Sequence, residues 1–143
     1  MFRKMIFESG AINLMVGKKN MVFGFFYLFF TMVLAIYLSG NVEWALTGGQ
    51  KALLNSAVLQ GNIDSVLNIV VGYLVCRLPL VEWLSKAVSP LMILGTLFHS
   101  GMLYLAGFGL LPFASALIPV GGLLIIAVML LMGIGVLSLR AIK

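Results

Sequence analysis

Four long runs of apolar residues limit what this chain can fold into. They cover about residues 21–39, 63–80, 88–108 and 116–138. A helix needs about 20 apolar residues to cross the roughly 30 Å of hydrocarbon in a bilayer. Backbone polar groups in lipid must be bonded within the segment, and the runs lack the alternation of membrane strands. The sequence therefore predicts an all-α integral membrane protein, a four-helix transmembrane bundle forming one domain over residues 1–143.

The composition agrees with this fold class and excludes a soluble domain. Hydrophobic residues make up 62% of the chain and charged residues only 9%, and the mean hydropathy is +1.17. A soluble domain needs far more polar surface than this composition can supply. The single cysteine, Cys76, excludes an intramolecular disulfide.

The basic residues are distributed unevenly about the four predicted spans. Eight of the nine fall on one side, and only Lys51 falls on the other. By the positive-inside rule, both termini and the connection between the second and third spans are predicted to be cytoplasmic. The membrane itself is interpreted as the inner membrane of a bacterium. The net charge of +5 then reflects topology and gives little support for a nucleic-acid partner. The eight residues are Arg3, Lys4, Lys18, Lys19, Arg77, Lys86, Arg140 and Lys143.

The segments outside the spans carry weaker signals. Residues 1–20 mix apolar and charged side chains and predict an amphipathic segment along the cytoplasmic interface. The connection over residues 40–61 contains a possible short helix, and the sequence leaves open whether it re-enters the membrane or lies flat. The third span is predicted to start near Val88, with Pro90 in its first turn. A tight corner before the fourth span is predicted from Gly107, Gly109, Pro112 and Pro119.

Small and polar residues recur along one face of the second span. Gly61, Ser65, Asn68 and Gly72 are spaced by four, three and four residues, which places them on one side of a helix. Helix packing is one explanation, because small and amide side chains let helices approach and hydrogen-bond. Asn68 lies about a third of the way into the span, so its amide needs partners in the bundle or a ligand.

Asp64 is the only acidic residue within or at the edge of a predicted span. Carboxylates inside a membrane are functional candidates. Two interpretations are open, because the position near the outer end of the span also suits a solvated helix start with Asn62 as its N-cap.

The third span carries Thr96, His99, Ser100 and Tyr104. His99, the only histidine, is interpreted either as a packing residue or as the one strong nitrogen ligand for haem or zinc. Tyr104 is either an interfacial anchor or part of a pocket, since antiparallel second and third spans would bring it to a depth similar to that of Asn68. One histidine, one cysteine and no carboxylate pair at ligand spacing do not predict a metal cluster.

In order and spacing, these residues resemble the small four-helix styrene oxide isomerases and their relatives. The resemblance extends over essentially the whole chain in layout. The residues that carry it are Lys18 and Lys19 before the first span, Gly24 and Thr31 within it, Leu67 and Asn68 in the second span, and Tyr104 near the end of the third.

This resemblance implies a homotrimer with haem b bound between subunits. Ferric iron would act as a Lewis acid on an epoxide oxygen, while Asn68 and Tyr104, at the matching positions, hold the substrate during a 1,2-shift to the aldehyde. The haem-ligating histidine of the family is replaced here by Asn62, and an acidic residue of its third span aligns with Thr96. An amide is a poor axial ligand, so either haem is absent or His99, which is not at a matching position, binds it.

Two functions are therefore carried forward. The first is an isomerase-like protein whose pocket, lined by Asn68 and Tyr104 with Asp64 and His99, takes a small apolar epoxide-like or carbonyl substrate from the bilayer. The second is a non-catalytic subunit of a membrane complex, in which the same polar residues hydrogen-bond between helices.

Overall fold

The computed structural model describes the backbone over residues 2–41, 46–111 and 113–140, and the side chains over 12–40, 46–111 and 113–138. Five α-helices and one π-helical turn occupy nearly all of these ranges, and no strand occurs in them. The helices are α1 (Phe2–Asn41), α2 (Gly48–Arg77), α3 (Glu82–Thr96), α4 (Met102–Gly107) and α5 (Ala114–Arg140). The π-helical turn, Leu97–Gly101, joins α3 to α4 without a break.

Within the described ranges, four helical stretches are long and apolar enough to cross a membrane. They are Ile12–Gly40, Gly48–Arg77, Glu82–Gly107 and Ala114–Ser138. The prediction of an all-α protein with four candidate membrane spans is thus confirmed. The cytoplasmic placement of the termini stays a prediction, as does an interfacial position for residues 1–20. Of these, residues 2–20 run into the first span as one helix.

The connection predicted over residues 40–61 proves to be largely helical. α2 begins at Gly48, and Thr47 caps it: its side chain accepts a hydrogen bond from the Gln50 N–H at 3.3 Å, and Gln50 Oε1 accepts from the Thr47 N–H at 3.0 Å. This capping box satisfies N–H groups at the helix start. Asn62 is consequently not an N-cap, and Asp64 is not a solvated helix start, because both lie in the interior of α2.

Both prolines predicted near helix ends lie inside helices. α3 begins at Glu82, so Pro90 falls in its third turn rather than its first. α5 begins at Ala114 and contains Pro119, which was expected in the corner before the span. Both prolines are on exposed faces, where the ring meets no neighbouring helix, and membrane helices tolerate internal proline.

In the corner between α4 and α5, Gly109 has φ +70°, a conformation that favours glycine. Pro112 lies outside the described residues.

The helices enclose two apolar clusters with a polar layer between them. One cluster, around Val88 and Met92, joins α2, α3 and α5. The other, around Leu54, Ala57 and Leu103, joins α2 to α4. α1 packs chiefly along α2, and α5 along α3.

Candidate functional site

The carboxylate of Asp64 and the imidazole of His99 face each other inside the bundle. His99 Nδ1 lies 3.1 Å from Asp64 Oδ2 and 3.4 Å from Oδ1. The Asp64 side chain is 2% exposed and that of His99 23%. Sequence reasoning selected each residue separately, and the structure brings them into direct contact between α2 and the π-helical turn.

The π-helical turn is the local feature that presents His99. Such turns are rare, insert an extra residue into a helix and occur frequently at functional sites. The next residue, Ser100, is fully buried and donates to the Thr96 carbonyl at 3.1 Å. Its hydroxyl is also 3.0 Å from the Tyr27 hydroxyl of α1. Two adjacent residues of the turn thus reach α2 and α1 respectively.

α5 supports the π-helical turn from the other side through Gly121. A Cβ at this position would collide with the backbone of Phe98 and His99. The absence of a side chain therefore permits backbone-to-backbone contact between α5 and the turn. This contact limits where the His99 ring can lie.

Asn68 lies one helical turn beyond Asp64 and is fully buried. Its Nδ2 donates to Thr96 Oγ1 at 2.6 Å and to the Asp64 carbonyl at 2.9 Å. Its Oδ1 has no hydrogen-bond partner among the described residues. Leaving a buried acceptor unpaired is costly, and each such group in a native fold calls for an explanation.

Tyr104 presents the second unpaired polar atom of this region. Its side chain is buried, and its hydroxyl finds no partner within the described ranges. The ring packs edge-on against Phe30 at 6.0 Å between centroids. The hydroxyl faces Gly61, where a Cβ would lie 3.1 Å away. Burial inside the bundle argues against an interfacial anchor.

Asn68 and Tyr104 do not meet at one point. Asn68 is opposite Thr96, whereas Tyr104 is opposite Gly61, which precedes Asn68 by seven residues on α2. Seven residues of α-helix rise about 10 Å, and the Asp64–His99 pair lies between the two levels. The groove that Asn62 lines together with Ile63, Val66 and Leu67, of ≈310 Å³, includes none of the four predicted site residues.

Sequence reasoning missed the contribution of α1. Tyr27 reaches Ser100, and Thr31 donates to Asn62 Oδ1 at 2.6 Å. A periodic signal was present, because the small and polar residues that α1 turns inward are spaced alternately by four and three. They are Asn13, Gly17, Asn20, Gly24, Tyr27 and Thr31.

The residues at the position implied for haem do not fit that group. By the resemblance, Asn62 stands at the position of the family's histidine, and its amide oxygen is already bonded to Thr31. His99, the one imidazole, lies elsewhere, with its Nδ1 directed at Asp64 and its Nε2 unbonded by any described residue; a carboxylate on one ring nitrogen is common for histidines that bind a metal through the other. In the part of the chain that the structure describes, no group of three or more His, Cys, Asp or Glu residues could hold a metal ion.

Three further hydrogen bonds join α1 to Leu80 and α3. Asn13 Nδ2 donates to the Leu80 carbonyl at 2.9 Å, and its Oδ1 accepts from the Ser85 hydroxyl at 2.6 Å. Asn20 Oδ1 accepts from the Ser89 hydroxyl. These are the interhelical bonds that the packing interpretation of the polar residues expects.

Comparison with known proteins adds no assignment. No family model, no curated protein and no solved structure matches this chain significantly.

Proposed function

We propose that this protein is an intramembrane isomerase in which Asp64 and His99 form an acid–base pair acting on a small apolar epoxide. One observation carries the proposal: the buried carboxylate of Asp64 contacts the partly exposed imidazole of His99 at a level between the unpaired Asn68 Oδ1 and the unpaired Tyr104 hydroxyl. An unpaired atom alone does not indicate a ligand, because Asn20, which bonds Ser89 across helices, also has an Nδ2 that is unpaired among the described residues. Unpaired atoms on both sides of an acid–base pair suit a guest molecule with a polar atom of its own.

The proposed chemistry requires no co-reactant. His99, protonated and donating from Nδ1 to Asp64, offers its Nε2–H to the epoxide oxygen. As one C–O bond breaks, the oxygen takes the proton, and a hydride moves to the neighbouring carbon. The carbonyl then forms and the proton returns to Nε2, so that atoms and charge balance. Asp64 orients the ring and stabilises its positive charge, as a carboxylate does in hydrolytic triads.

The two unpaired atoms have different capacities. The Tyr104 hydroxyl can donate to a substrate oxygen, whereas Asn68 Oδ1 can only accept, for example from a hydroxyl formed on protonation. Because they lie about 10 Å apart along α2, the single oxygen of a small epoxide would bond to only one of them at a time. We therefore keep both as binding residues, with Asp64 and His99 as the catalytic pair.

The test uses purified protein in mild detergent with styrene oxide and a set of small aryl and alkyl epoxides. Gas chromatography would measure carbonyl products. We expect turnover by the wild type, and its loss in Asp64→Asn and His99→Gln variants that elute normally on size exclusion. Asn13→Ala, which removes a buried amide away from the site, should retain turnover. Absence of carbonyl product across the whole set would overturn the proposal.

A second candidate, a non-catalytic subunit of a membrane complex, is favoured by a specific observation. Five pairs of amide or hydroxyl side chains bond across helices: Asn13 with Ser85, Asn20 with Ser89, Tyr27 with Ser100, Thr31 with Asn62, and Asn68 with Thr96. A stable partner that co-purifies in mild detergent would support this candidate. A discrete homo-oligomer without other proteins would count against it.

The assembly and surroundings also belong to the proposal. By resemblance to the styrene oxide isomerases, the protein would be a homotrimer in the inner membrane of a bacterium, with both termini cytoplasmic. The mass of the purified protein–detergent complex, corrected for detergent by light scattering, tests the oligomer number.

A further inference from the structure

We infer that ligands reach the Asp64–His99 pair sideways, from the hydrocarbon of the bilayer, through the gap that Gly122 of α5 leaves beside the imidazole. The ligand class rests on the proposed function. The route does not, because it follows from what surrounds the imidazole.

The two ends of the bundle are closed to this site by apolar side chains. Val88 and Met92, which precede the π-helical turn along the chain, belong to one buried cluster. Leu103, which follows the turn, belongs to the other, together with Leu54. A ligand entering along the bundle axis would have to displace one of these close-packed clusters, and such displacement is costly.

The imidazole of His99 has one edge buried and one edge open. Its Nδ1 faces the carboxylate of Asp64 in the interior. On the opposite edge, Nε2 makes no hydrogen bond with any described residue, and this atom is not fully buried. The exposed fraction of the side chain, 23%, therefore includes this edge, which is where a ligand would accept a proton.

The open edge is turned toward α5. A Cβ built on Gly122 would lie 3.8 Å from His99 Cδ2, the ring carbon bonded to Nε2. This is an ordinary van der Waals contact, so alanine fits, and a longer side chain would extend over the ring. The neighbouring Gly121 has a different role, because its Cβ would meet backbone. Gly122 is thus the position on α5 where a missing side chain leaves the imidazole uncovered.

The depth of the site in the membrane indicates that the open edge of the imidazole faces hydrocarbon. Tyr27 bonds to Ser100, the neighbour of His99, and lies eight residues beyond Lys19 on α1. Eight residues of helix rise about 12 Å, which from a basic residue at the interface reaches well into the roughly 30 Å hydrocarbon layer. The ligands that fit are small, uncharged molecules dissolved in lipid that carry a hydrogen-bond acceptor.

The experiment exploits the single histidine. Protein with ¹³C-labelled histidine in lipid nanodiscs gives one Cδ2–H resonance. Its relaxation rate is measured with each of two paramagnetic probes. Dissolved oxygen concentrates in hydrocarbon, and a gadolinium chelate stays in water. We expect oxygen, and not the chelate, to relax this resonance. In Gly122→Leu the oxygen effect should fall by about half or more, since a side chain packed on the ring excludes small molecules. Gly122→Ala should have a smaller effect.

Gly133→Leu is the matched control, because Gly133 lies on the same helix with open space around its Cβ position, and it should leave the oxygen effect unchanged. Relaxation by the chelate, or an unaltered oxygen effect in Gly122→Leu, overturns the inference. The two proposals fail separately. Oxygen access without carbonyl formation refutes only the isomerase. Turnover in a protein whose imidazole is relaxed only by the chelate refutes only the route.

Discussion

His99 Nδ1 lies 3.1 Å from Asp64 Oδ2, and each residue belongs to a helical stretch that is long and apolar enough to cross a membrane. An ionised carboxylate alone at such a place would be very unfavourable. The contact gives Asp64 the one imidazole of the chain as its partner and leaves the other ring nitrogen of His99 available. The contact therefore stabilises the buried carboxylate and, in the proposed reaction, leaves His99 able to transfer a proton.

The pair should be energetically coupled. A double-mutant cycle with Asp64→Asn and His99→Gln should give an interaction free energy of about 1 kcal/mol, the size typical of polar pairs in membrane bundles. Unfolding in mixed micelles of increasing denaturing detergent would measure it. The exposed Glu82–Lys86 pair is the comparison and should give less. Strictly additive effects of the two site variants would show that the contact contributes nothing.

Asn68 and Asn13 should differ in turnover when each is replaced by leucine. Asn68→Leu removes the unpaired Oδ1 together with the hydrogen bonds that Nδ2 donates to Thr96 Oγ1 and to the Asp64 carbonyl, so stability should fall by about 1 kcal/mol or more, and ligand binding and turnover are lost. Asn13→Leu leaves the Leu80 carbonyl without its donor, so stability should also fall by about 1 kcal/mol or more, but turnover should persist. Thermal unfolding in detergent and the epoxide assay check both. Turnover that persists in a folded Asn68→Leu variant would favour a purely structural role for Asn68.

Replacement by alanine at two glycines of α5 should have very different effects on the free energy of unfolding. Gly121→Ala places a methyl group against the backbone of Phe98 and His99, so α5 must move away at a cost of about 1–3 kcal/mol. Gly133→Ala meets nothing and should be neutral or stabilising by up to about 1 kcal/mol, because alanine favours helix. Unfolding measurements in detergent would decide. If Gly121→Ala leaves the stability unchanged, α5 does not contact the π-helical turn closely.

The apolar runs predicted the helical class and the four candidate spans because lipid leaves backbone groups few alternatives. The start of α2 was missed because its capping box, Thr47 with Gln50, precedes a stretch that is only weakly apolar. The π-helical turn leaves no periodic signal, since it depends on Gly121 of another helix. Asp64 and His99 were both selected, but the register between two helices is decided by packing, which a single sequence does not reveal.

The orientation predicted by the basic residues can be tested with cysteine substitutions. In a Cys76→Ser background, Gly49→Cys lies in the exposed first turn of α2, and Glu82→Cys lies at the exposed start of α3. The positive-inside rule places the first outside and the second in the cytoplasm. A membrane-impermeant maleimide applied to intact spheroplasts should label Gly49→Cys alone, and both after permeabilisation. The reverse pattern would place the termini outside.

Asn62 should prevent stoichiometric haem binding. The resemblance to the styrene oxide isomerases implies that it stands at the position of the haem ligand, and its amide oxygen already accepts from Thr31 at 2.6 Å. Amides are poor axial ligands, so we expect protein purified from cells supplied with haem precursor to show no stoichiometric Soret band. Asn62→His, which restores the family's residue, is the matched variant, and Thr31→Val in the same background frees the position of its hydrogen bond. A Soret band in the wild type that disappears in His99→Ala would contradict the prediction, because His99 would then hold the iron and could not also donate the proton.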